Sequence, residues 1–218
     1  MKRRDIYGRA TLWYKVEVNE LERALLDIAE VRERLAVTQR FKGYSGIAAV
    51  ASGIFALVAG GVQATLVPNP AGNAQGRTYF AIWLVCCAAA AIVNYGAIAH
   101  WFVNDASARD RWQTRTVGLS ILPALTLGAA LSFALLAALR FSELPGVWYA
   151  CYGVGLFASR TMVPRGVVVV ATIFLLVGIG LMFVPPSIAL AWWVLAAGFG
   201  FGQIAIGIFV LRDREESV

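Results

Sequence analysis

Few side chains in this sequence can do chemistry, and their spacing limits which chemistry is open. There is one histidine, His100, and there are three cysteines, Cys86, Cys87 and Cys151. Successive helical residues point about 100° apart, so Cys86 and Cys87 are poorly placed to grip one ion together. Metal-assisted hydrolysis needs several His, Asp or Glu residues at ligand spacing, and the sequence offers no such set. A catalytic thiol needs a neighbouring base, and none stands near these cysteines along the chain. One histidine cannot provide both axial ligands of a bis-histidine haem. The expectation is no metal, no cofactor and no catalytic residue, with an intramembrane enzyme as the least favoured class.

A second set of residues is more ordered. Ser52, Asn94, Thr126, Tyr152 and Gln203 each fall about eight or nine residues from one end of an apolar run, roughly 12–14 Å at helical rise. Neutral polar groups at one depth of a helical bundle can line a pocket for a small neutral solute. They can equally bond helix to helix, at about 0.6 kcal/mol per contact on average. The second use is the expected one.

The elements that hold these residues follow from composition. Of 218 residues, 59% are hydrophobic and only 15% are charged, with mean hydropathy +0.68. A soluble domain is nearer a quarter charged, so this much apolar surface requires lipid as its solvent. Crossing a ~30 Å hydrocarbon core takes about 20 apolar residues. Six runs reach or approach that length: 44–67, 79–103, 117–139, 145–159, 166–184 and 188–211. They lack the in–out alternation of membrane strands, so helices are indicated. No Asp, Glu, Lys or Arg lies within any of them. Ion-coupled transport usually relies on such intramembrane charges and is disfavoured accordingly.

Charge sets the orientation. Seventeen of the nineteen Lys and Arg residues fall in the N-terminal segment to Gly43, in the loops after the second and fourth runs, and in the tail. Only Arg77 and Arg140 lie in the intervening loops. This alternation places both termini in the cytoplasm, with the bacterial inner (plasma) membrane as the expected location. The net charge of +6 is read as this bias and not as a nucleic-acid surface, because no basic cluster is interleaved with aromatics. The start Met1-Lys2-Arg3-Arg4 is followed by no apolar core before residue 44, unlike a secretory leader.

Segment 1–43 carries its own pattern. Asn19 with Glu22 fits a capping box that opens a helix over 20–38. Leu21, Leu25, Ile28 and Leu35 fall on one apolar face, a surface suited to docking a partner. In the first run, Ala49-xxx-Gly53 and Ala56-xxx-Gly60 are small residues four apart, which let backbones approach closely in lipid.

The fold expectation is therefore an all-α polytopic membrane protein. Six transmembrane helices fill 44–211, a cytoplasmic amphipathic N-terminal segment fills 1–43, and a cytoplasmic tail fills 212–218. The expected function is non-catalytic: binding or regulating a partner through the N-terminal helix. The alternative is a channel or carrier for a small neutral or apolar solute. Expected partners are the lipid bilayer and a protein partner or a second copy of the chain.

Overall fold

The computed structural model describes Ile28 and residues 43–215. The chain divides into two compact units, Met1–Arg40 and Phe41–Val218. In the first, Ile28 is helical and half exposed. The other residues of the expected docking face, Leu21, Leu25 and Leu35, lie outside the described residues, as do residues 216–218 of the tail.

The second unit is all-α, with no strand among the described residues. Its helices are α1 (Gly46–Leu66), α2 (Gly72–Asn104), α3 (Ala108–Ala137), α4 (Leu144–Ala158), α5 (Arg165–Leu181), α6 (Pro186–Ala189), α7 (Trp192–Leu195) and α8 (Gly202–Glu215). A 3-10 turn at Phe141–Glu143 precedes α4, and a π-helical segment, Ala196–Phe201, joins α7 to α8. Four stretches are long and apolar enough to cross a membrane: α1, α2, Asp110–Ala137 of α3, and Trp192–Asp213. This is a membrane protein. Helices α4 and α5 are shorter, 15 and 17 residues, or about 22 and 25 Å at helical rise.

Two helix starts lie earlier than apolar content alone predicts. Helix α3 begins at Ala108, inside a polar stretch, because Ser107 and Asp110 form a capping box. The Ser107 hydroxyl accepts from the Asp110 N–H, and the Asp110 carboxylate accepts from the Ser107 N–H. Helix α2 begins at Gly72, where the Gln75 side chain accepts from the Ala71 N–H. At 33 residues α2 is about 50 Å long, well beyond the hydrocarbon thickness.

Small residues set the packing. Gly46, Ala49, Gly53, Ala56, Gly60 and Gln63 alternate three and four apart along α1, and all are buried. They face the last helix running the other way. A methyl on Gly53 would lie 2.6 Å from the carbonyl oxygen of Gly200. One on Gly46 would lie 2.7 Å from that of Gly207, and one on Gly60 would lie 2.4 Å from the Ala196 Cβ. Helices α4 and α5 repeat the device. Gly146 approaches the Gly178 carbonyl, and Gly153 approaches the backbone of Ala171 and Leu175. Lipid tails are as apolar as leucine, so such close approach, and not hydrophobicity, holds these pairs together.

Helix α1 packs between α2 and the last helix; α5 packs against the last helix and α4, and α4 against α3. Helices α2 and α3 are joined by a three-residue link but scarcely pack on each other.

Candidate functional site

The five residues predicted to share one level resolve into two pairs and a bystander. Asn94 on α2 donates from Nδ2 to Ser52 Oγ on α1, and also to the Ala90 carbonyl at 2.9 Å. The Ser52 hydroxyl in turn donates to the Ala48 carbonyl at 2.9 Å. Each donor here ends on an acceptor, as a buried polar group in lipid must. In the second pair, Gln203 Nε2 donates to the Tyr152 hydroxyl, which also hydrogen-bonds with Tyr44. Thr126 joins neither pair. Its hydroxyl donates to the Leu122 and Pro123 carbonyls of its own helix, and the residue is exposed.

The two pairs are alike in burial. Ser52 and Gln203 are buried, and Asn94 and Tyr152 are half-buried. Gln203 Oε1 is buried without a hydrogen-bond partner among the described residues. A small enclosed gap near this set is lined by residues including Tyr44, Val117, Ser159, Val163, Val167 and Val210, and it leaves a free volume of about 10 Å³. That is about one water.

The best-built polar knot lies elsewhere. Gln63, fully buried near the end of α1, donates from Nε2 to the Leu190 carbonyl at 2.8 Å. Its Oε1 accepts from the Trp83 indole N–H at 2.8 Å. One side chain thus ties α1 to α2 and to the link between α6 and α7, where Leu190 sits outside helical pairing. The sequence carried a signal for it, because the three-four spacing of small residues in α1 continues onto Gln63. A second indole, that of Trp148, donates to Ser132 Oγ at 2.7 Å and joins α4 to α3.

A third feature explains the π segment. The Tyr149 hydroxyl donates to the Val194 carbonyl at 2.6 Å and accepts from the Gly198 N–H. Val194 and Gly198 are four apart, the partners of an ordinary α-helical rung. The tyrosine hydroxyl occupies that rung, and a side chain inserted into the ladder is a recognised cause of local π geometry and kinking. Only glycine fits at 198, since a methyl there would lie 1.6 Å from the Tyr149 oxygen. Around this wedge Tyr149, Tyr152, Phe174 and Phe199 pack with ring centroids 5.0–5.4 Å apart. Aromatic pairs at such distances contribute about 0.5–1.5 kcal/mol each beyond burial.

The chemistry-bearing residues stay apart. His100 is exposed near the C-terminal end of α2. Cys86, Cys87 and Cys151 are free thiols; Cys87 is exposed, and Cys151 faces Gly128 of α3. Among the described residues no three of His, Cys, Asp and Glu gather closely enough to hold a metal. Comparison of the chain with family models, with curated proteins and with solved structures finds no match.

Proposed function

We propose that the chain is a non-catalytic integral membrane protein that docks or regulates a protein partner through its amphipathic N-terminal helix. The observation that carries this reading is the pairing at the common level. Asn94 is spent on Ser52, and Gln203 on Tyr152, so these groups serve as links between helices. With the polar level committed to cohesion, the amphipathic face of Leu21, Leu25, Ile28 and Leu35 is the feature left to recognise another molecule.

Six crossings and cytoplasmic termini belong to the same proposal. The α4–α5 link supports them: Ser159 and Val163 share a gap with Tyr44 before α1, Val117 in α3 and Val210 in α8. The far end of α4 therefore reaches the level at which α1 and α3 enter and α8 leaves. Arg160 and Arg165 then fall on the side of Arg111, Arg115 and Arg212, as the positive-inside bias requires. A bacterial inner membrane is the proposed setting.

The test is to remove residues 1–38 and purify the rest from native membranes beside the full chain. Unchanged folding with loss of one specific co-purifying protein is the expected result. A full-length chain that purifies alone would count against partner docking.

A carrier for a small neutral solute is the second reading, favoured by one observation. Gln203 Oε1 is a buried acceptor without a described partner, so a donor-bearing guest would satisfy it.

A further inference from the structure

We propose that the cleft between α2 and α3 is a binding site for one anionic phospholipid, with an acyl chain along its apolar walls and the headgroup phosphate on Arg77. The cleft exists because the two helices are joined by a short link yet scarcely pack. It opens to a volume of about 530 Å³ lined by Arg77, Phe80, Phe133, Leu136, Ala137 and Leu139. That lies within the ~300–1,000 Å³ range of sites that hold small ligands. Trp148 of α4 packs on the lining residue Phe80 at 6.1 Å between centroids and donates to Ser132 of α3.

Charge identifies the occupant. Arg77 precedes the long apolar run of α2 by two residues, the depth of lipid headgroups. It has no ion pair or hydrogen bond among the described residues. The neighbouring arginine is already neutralised: Arg140 meets Glu143 at 2.6 Å. Glu143 is thus committed, and the cation lining the cleft faces no acid. An apolar trough with one uncompensated guanidinium at its mouth complements a phosphate on a hydrocarbon chain. Arginine binds phosphate strongly because its planar fork matches the oxygens.

Leu139 is independent support. It adopts φ 59, the left-handed region, at the end of α3. The Arg140 N–H reaches the Leu135 carbonyl and the Leu139 N–H the Leu136 carbonyl, a Schellman ending. Glycine is the usual occupant of that position, being free of the strain a Cβ brings. Leucine here keeps the strain and contributes an apolar side chain to the cleft wall.

The test uses the full-length protein in mild detergent, exposed to mixed vesicles of phosphatidylglycerol and phosphatidylcholine in equal amounts. After washing, retained lipid is counted by native mass spectrometry. The expected result is one phosphatidylglycerol per chain, retained about five-fold over phosphatidylcholine, the weight of one cation at a membrane surface. Arg77→Gln removes the preference, and Phe133→Ala, at an exposed wall residue, lowers total retention. Arg140→Gln leaves both unchanged. Equal retention of the two lipids by the unaltered chain, or an unchanged preference in Arg77→Gln with an unchanged melting temperature, would overturn the proposal. Displacement of phosphatidylglycerol by millimolar inorganic phosphate would overturn the lipid in favour of a free anion.

Discussion

The seam between α1 and the last helix and the seam between α2 and α3 are built from similar residues and end differently. Both carry glycine and alanine among larger apolar side chains. In the first, Gly46, Gly53 and Gly60 sit against Gly207, Gly200 and Ala196, with backbone on backbone. In the second, Gly96 of α2 and Gly118 of α3 have nothing within 4 Å of where a methyl would stand. The difference is phase. The α1 glycines recur every seven residues, on one stripe with Ala49 and Ala56 between them, so a facing helix meets an unbroken smooth track. Gly118 has no such companions on its own helix, and the stripe through Ala89, Gly96 and Ala99 is interrupted by Ile92 and Val103. In lipid, where apolar side chains gain nothing from leaving the solvent, a continuous track closes a seam and an isolated glycine does not.

The comparison breaks first at Gly53. Replacing Gly53 by leucine forces the side chain into the Gly200 carbonyl and Ile204, where overpacking costs about 3 kcal/mol. The same change at Gly96 meets open space, and leucine is the better helix former, so no loss is expected there. Melting temperatures of the two variants in one detergent compare the seams. Equal losses would mean that the track has no special role.

A smaller effect is expected at Gln63. Gln63→Leu keeps the bulk but leaves the Trp83 N–H and the Leu190 carbonyl without partners in a buried site. The cost is about 1–3 kcal/mol, and Trp83→Phe on that background restores part of it by removing the stranded donor. A neutral Gln63→Leu would show that the knot is idle.

The smallest effect lies at the half-buried waist. Asn94 and Ser52 have one direct bond, and a double-mutant cycle of Asn94→Leu and Ser52→Ala is expected to return about 0.6 kcal/mol of coupling. Zero coupling would detach the pair from cohesion altogether.

These residues also show what the sequence made legible. Membrane class, helical content and the close approach along Ala49, Gly53, Ala56 and Gly60 follow from composition and from four-residue spacing, which are local properties. The expected common level of Ser52, Asn94, Thr126, Tyr152 and Gln203 followed from counting along each run. Which of them would meet did not, because partner choice depends on helix rotation, and counting gives depth alone. Thr126 shows the limit: its own helix offers acceptors three and four residues back, and its hydroxyl takes them. The Ser107–Asp110 box was readable by the rule applied to Asn19 and Glu22, but it sits in a polar stretch and passes for loop. The π segment was not readable at all. It arises where Tyr149, some 45 residues away in the chain, places its hydroxyl in a rung of another helix. The closely spaced glycines at 198, 200 and 202 signal only that something approaches closely, and the structure supplies Tyr149, Leu57 and Phe174.

The central claim is that the polar level is closed packing. It is tested most directly by cysteine accessibility at Ser52, in a chain whose native cysteines Cys86, Cys87 and Cys151 are replaced by alanine. Ser52→Cys is treated with a membrane-impermeant maleimide from each side of sealed vesicles. Packed between α1 and α2, the thiol is expected to stay unlabelled from both sides and to react only after denaturation. Labelling from one side in the folded protein would show a water-filled path to this level, and would contradict cohesion in favour of a carrier.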